Sequence, residues 1–206
     1  VTELKNVLSG LFYLSATYVY LPLMLTDSEP PRLRDHRIRY ACALLLFTLA
    51  ILAKTTTVSL PAALLLVIWW KRGRLGRRDI MPLLPMFALG VAAGWLTAHI
   101  ETTEVGAEGA QFDFSLADRV LIAGRAVWFY AMKLVAPVKL AFIYPRWDID
   151  PSRAWQWLFP IAAAALVVSA WALRHRIGRG PLVALLYFGG TLLPALGFFD
   201  VYAMRY

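Results

Sequence analysis

DFSLADRVLIAGRAVWFYAMKLVAPVKLAFIYPRWDIDP, residues 113–151, is the stretch on which the reading of this chain turns. It lies among segments apolar enough to cross a bilayer, yet it carries Arg119, Arg125, Lys133, Lys139 and Arg146 among aromatic side chains. Cations at membrane depth are costly, and they face a cavity, a partner or an anionic ligand. Whether this stretch crosses or lies flat decides how every flanking segment is oriented.

The surrounding composition sets the class. The chain is 60% hydrophobic and 17% charged, against about half and a quarter in soluble domains, so it reads as an integral membrane protein. Its net charge of +8 falls in short clusters between apolar runs. That is the pattern of cytoplasmic membrane loops rather than of a nucleic-acid-binding face. The single cysteine, Cys42, allows no internal disulfide and has no companions for a metal site. With no initiator methionine and apolar sequence close to both ends, the chain is expected to be one partial membrane domain, 1–206, of a longer protein.

Working outward, residues 6–25 form a first apolar run of spanning length, followed by the basic DSEPPRLRDHRIR, read as an inner loop. Residues 40–70 are too long for one crossing and are broken by AKTTTVSLP, where Pro61 removes a helix donor. Two crossings with a turn at residues 54–57 fit. The basic KRGRLGRRD then returns the chain to the inner side, which puts Lys54 at the outer end. Residues 81–100 span again, with Gly90 and Gly94 permitting close helix approach. The following loop holds Glu101, Glu104, Glu108, Asp113 and Asp118 without Lys or Arg, as outer loops do. Residues 155–173 span inward to RHRIGRG, and residues 181–198 return outward.

Parity then requires residues 113–151 to cross twice or not at all. Their one helix-length run, 116–136, has Ser115 as N-cap with Asp118 three residues on. Asp118, Arg119, Arg125 and Lys133 share roughly a third of its circumference. The expectation is an amphipathic helix at the outer interface. A seventh span would put RHRIGRG outside, against the positive-inside pattern. The fold class expected is all-α: a polytopic transmembrane bundle of about six spans plus this outer-face helix.

ELKNVLSGLFYL, LAKTTTVSLPAALLLVIWW, VGAEGAQFDFSLADRVLIAGRAVWFYAMKL and LAFIYPRWDID resemble bacterial multi-pass proteins that carry a tetratricopeptide-repeat tail. These are similar to the transmembrane and tetratricopeptide-repeat-containing O-mannosyltransferases. The resemblance runs through nearly the whole chain, and IYPRWDID and AKTTTVSLP are its most specific blocks. It implies a C-type glycosyltransferase membrane fold in a bacterial inner membrane, transferring sugar from a polyprenyl-phosphate donor to an acceptor, a protein being one candidate. It also implies that the catalytic carboxylates lie upstream and the repeats downstream, so no catalytic residue is assigned in this chain. Glu3 and Lys5 match the family's Glu-Arg-Lys-Asp run, whereas Leu4 and Asn6 depart from it.

Several residues then become candidates for holding the donor. Lys54 ends an apolar helix beside Thr55, Thr56 and Thr57, so an ammonium, hydroxyls and free amides can meet a phosphate together. The plainer alternative is a lysine snorkelling to the headgroups. Arg125 suits bidentate phosphate pairing, with headgroup anchoring or a salt bridge to Asp118 as its alternatives. Lys133 lies on the same face. Tyr144, Arg146 and Trp147 join an aromatic platform to a cation, or else form an interfacial anchor ordered by an Arg146–Asp148 pair. Asp148 and Asp150 share one face of an extended segment but read first as exposed loop acids. Arg205 is a weaker donor contact. No metal site or nucleic-acid partner is expected, and membrane lipids are the evident surroundings. A transporter, with ionisable pairs at mid-membrane, and a non-catalytic scaffold for a repeat domain are the competing functional classes.

Overall fold

A computed structural model describes residues 2–25, 33–104, 114–138, 140, 141, 144, 147–193 and 196. Lys139, Arg146 and Arg205 lie outside these residues. The described chain is helical without strands: α1 (Thr2–Leu25), α2 (Leu33–Ala53), α3 (Leu60–Arg72), α4 (Arg77–Ile80), α5 (Leu84–Glu104), α6 (Leu116–Val135), α7 (Leu158–Leu173) and α8 (Gly180–Leu192). Four helical stretches are long and apolar enough to cross a membrane: Leu4–Leu25, Arg34–Ala53, Arg77–Thr97 and Ala154–Leu173. Helices α3 and α8 are apolar but shorter, at 13 residues each. Helix α6 matches the four in length, but its Asp118, Arg119, Arg125 and Lys133 exclude it from them.

Two compact units divide the chain, Val1–Thr97 and Ala98–Tyr206. In the first, α1 and α2 pack together, with α3 and the start of α5 completing the core. Ala16, Tyr20, Ala43, Phe47, Leu60, Leu64, Ile68, Leu83 and Met86 are buried there. The four-residue steps from Ala43 to Phe47 and from Leu60 through Leu64 to Ile68 keep each set on one helix face. Small residues recur at the contact because lipid is as apolar as a core, so close packing rather than water exclusion holds such helices together.

Polar contacts mark the two ends of this unit. At one end Lys54 Nζ donates to Asn6 Oδ1 (2.9 Å), and the hydroxyls of Thr55 and Thr97 share a hydrogen bond (3.2 Å). At the other, Tyr40 Oη donates to Pro82 O (2.7 Å), while Arg72 donates to Met24 O and pairs with Asp79 (2.5 Å). Asn6 and Met24 are about 27 Å apart along α1, close to the thickness of a hydrocarbon core. The basic clusters flanking α2 and α3 therefore sit at the end opposite Lys54, as expected from charge.

The break at AKTTTVSLP has the expected cause and a more detailed form. Helix α2 stops at Ala53, Lys54 is extended, Thr55–Ser59 makes a 3-10 turn, and Pro61 opens α3 where its missing N–H costs nothing. Two details differ from expectation. Arg34, Asp35, Arg37 and Arg39 belong to the first turns of α2 rather than to a loop, with Asp35 near the positive end of the helix dipole. Gly90 does approach Val58, at 3.5 Å for an added Cβ, but Gly94 meets nothing within 4 Å.

In the second unit α6 packs on α7, and α7 on α8. The Ser115–Asp118 capping box forms as read: Asp118 N donates to Ser115 Oγ (3.2 Å) and Ser115 N to Asp118 Oδ2 (2.9 Å). Gly124 lies so close to α7 that an added Cβ would stand 2.5 Å from Pro160 N. One turn on, Trp128 Nε1 donates to Phe159 O (3.0 Å). Ala123 and Ala126 cluster with Leu196, packed by Val127, Tyr130, Trp147 and Leu192. The middle of α6 thus meets the first turn of α7 and the residues at the end of α8.

Candidate functional site

Arg125, Phe129 and Lys133 follow one another at four-residue steps, so α6 presents them as a single stripe. Tyr144 and Trp147, beyond the end of α6, lie on this stripe. Both pack edge-on against Phe129, with ring centroids 4.9 and 5.5 Å away. The Arg125 guanidinium lies over the Trp147 ring at 4.8 Å. The Lys133 ammonium lies 5.2 Å from the Tyr144 centroid and 5.7 Å from that of Phe129, and donates to Val138 O (2.6 Å). Each cation–ring contact is worth about 0.5–1 kcal/mol when exposed and about 2 kcal/mol when desolvated. All five side chains are half-buried.

Four sequence candidates, Arg125, Lys133, Tyr144 and Trp147, are therefore neighbours in one cluster. Phe129, its central ring, was not singled out, although its position midway between two selected cations was a usable signal. The alternative in which Arg125 pairs with Asp118 is not realised. The Asp118 carboxylate is committed to Ser115, two helical turns away, and Arg125 takes the Trp147 face instead. A guanidinium held over a ring still has N–H groups to offer an anion, so the arrangement is chemically able to bind a phosphate beside an aromatic platform.

The acidic loop beyond is organised by a residue outside the sequence candidates. Arg153 pairs with both Asp148 and Asp150, each at 3.1 Å. Gln156, buried at the start of the helical segment, donates to Asp148 O (3.1 Å) and accepts from Asp150 N (3.2 Å). Hydrogen bonds from the hydroxyl and amide of Ser152, aided by Arg153, hold the Asp150 carboxyl below its usual range. The two carboxylates share the Arg153 guanidinium as anchors of this turn.

In the other unit Lys54 is exposed and bound to Asn6, and Thr55 faces Thr97. The hydroxyl of Thr57 is turned inward to Lys54 O (2.8 Å), which leaves Lys54 and Thr56 as the exposed polar side chains, with half-buried Thr55 beside them. Asn6, in the first turns of α1, is the direct partner of Lys54, so residues 3–5 lie at the same end of this unit. Lys5 is exposed. Among the described residues no three His, Cys, Asp or Glu side chains group as a metal site. No family model, no curated protein and no solved structure matches the chain.

Proposed function

We propose that this chain is the membrane part of a glycosyltransferase that moves a sugar from a polyprenyl-phosphate donor to an acceptor hydroxyl on the extracytoplasmic face. The observation that carries the reading is the stripe of Arg125, Phe129 and Lys133 with Tyr144 and Trp147 folded onto it. Two cations beside an aromatic platform suit a ligand with both a phosphate and a sugar ring. In this reading the acceptor oxygen attacks the anomeric carbon, the bond to the lipid phosphate breaks, and the guanidinium and ammonium stabilise the departing phosphate. In this reading a general base takes the acceptor proton, and no residue of this chain is assigned that role. Lys54 with Thr55 is a second cation and hydroxyl pair able to meet phosphate, at the end of its unit remote from the basic clusters.

The accompanying topology has six crossings, with the 3-10 turn plus α3 and helix α8 added to the four long spans, and with α6 at the outer interface of a bacterial inner membrane. The meeting of α6 with the start of α7 and the end of α8 supports that placement. So does the capping of its N-terminus, which leaves its polar end satisfied without burial.

The test is sugar transfer from a lipid-linked donor by the full-length protein. Arg125→Ala and Lys54→Ala, each at wild-type expression, should lower turnover by about two orders of magnitude or more, the scale of losing a transition-state charge contact. Wild-type activity in both would overturn the proposal.

A further inference from the structure

Among the described residues, the basic end of the first unit carries cations that no carboxylate pairs. Along residues 70–81, Lys71, Arg74, Arg77 and Arg78 are exposed. The only carboxylate of that segment, Asp79, is buried and already held by Arg72 and by the Gly76 amide (2.8 Å). Arg72 thus removes Asp79 from competition for its neighbours' charges. Lys71 sets its ammonium over the Trp70 ring, 4.9 Å from the centroid, rather than against an acid. Apolar side chains alternate with the cations and are themselves open: Trp70, Leu75, Ile80 and Met81 are between 39% and 62% exposed. Arg34, Arg37 and Arg39 add exposed charge from the start of α2, with Asp35 the one exposed carboxylate among the described residues at this end. The Tyr40–Pro82 hydrogen bond ties that helix start to the end of the segment.

We propose that residues 70–81 form a binding surface for anionic phospholipid headgroups. Phosphate diesters sit among Lys71, Arg74, Arg77 and Arg78, while Leu75, Ile80 and Met81 enter the acyl boundary beside them. Charge with interleaved apolar side chains at a span's end is what an anionic bilayer surface selects, and each cation there is worth about a fivefold gain in binding. The surface is independent of the cluster on α6, and neither requires the other.

The experiment measures lipid retained by the purified full-length protein in detergent containing equal phosphatidylglycerol and phosphatidylcholine, read by native mass spectrometry. Wild-type protein should retain the anionic lipid by about tenfold or more over the zwitterionic one. The fourfold variant K71Q/R74Q/R77Q/R78Q should lose that preference, and R125Q/K133Q should keep it. The charge-conserving R74K/R77K/R78K variant, whose unfolding midpoint checks that the segment still folds, should also keep it. An excess of inorganic phosphate should not displace the lipid. Equal retention of the two lipids by wild type, an unchanged preference in the fourfold variant, or displacement by free phosphate would each overturn the proposal.

Discussion

Replacing Gly124 by alanine tests the way α6 is seated. In an open helix this change stabilises by about 0.5–1 kcal/mol, because glycine gives up more backbone entropy. Here the new Cβ would stand 2.5 Å from Pro160 N, 2.6 Å from its Cδ and 2.7 Å from its Cα. None of these atoms is the free end of a flexible side chain. Restoring contact at 3.4 Å requires α6 and α7 to separate by roughly 0.9 Å. Such overpacking costs about 1–3 kcal/mol. It also strains the Trp128–Phe159 hydrogen bond one turn away, itself worth about 1 kcal/mol. The net expectation is a loss of about 2 kcal/mol, or a fall of about 4–8 °C in the unfolding midpoint at this chain length. Thermal unfolding in mild detergent, followed by tryptophan fluorescence, measures it. Gly10→Ala, with nothing within 4 Å of its added Cβ, and Gly90→Ala, 3.5 Å from Val58 Cβ, are the controls and should unfold within about 1 kcal/mol of wild type. A Gly124→Ala protein that unfolds at or above the wild-type temperature would refute this account of the α6–α7 contact.

Two further outcomes follow from the polar anchors. Arg72→Ala leaves the Asp79 carboxylate buried with only the Gly76 amide, and should cost about 3 kcal/mol, whereas joint replacement of both by apolar residues of similar size should recover most of it. Denaturation of the single and double variants in detergent checks this, and equal loss in both would count against a paired burial. Asp150 supplies a pH signature. A carboxyl held below its usual value in the fold adds stability above its unfolded pKa, and loses it as pH falls through the folded value. Ser152→Ala removes the largest cause of the shift, so its Asp150 should titrate nearer the ordinary carboxylate range in a carbon-13 NMR titration. An unmoved Asp150 would show that the Ser152 hydroxyl does not set it.

What was legible in the chain, and what was not, divides along a physical line. The helical class, the long apolar segments, the break at Lys54–Pro61 and the Ser115–Asp118 cap rest on backbone chemistry within a few residues. A missing proline donor or a capping hydroxyl acts locally, whatever packs nearby. The separation of Lys54 from the basic clusters also followed from sequence, because charge patterning and a helix of bilayer length leave few arrangements.

The packed faces were another matter. Helices α1, α5 and α7 are apolar nearly all round, so a helical wheel has no polar side from which to infer an inner one. In lipid the choice of contact face depends on shape. That is why Gly124 rather than Gly94 marks a close approach, and why Arg153 and Gln156, which spacing did not single out, anchor Asp148 and Asp150. The stripe of Arg125, Phe129 and Lys133 was written in the spacing of residues 125, 129 and 133. That Tyr144 and Trp147 fold onto it was decided only by tertiary structure, since joining residues across the turn after α6 depends on how the chain bends there.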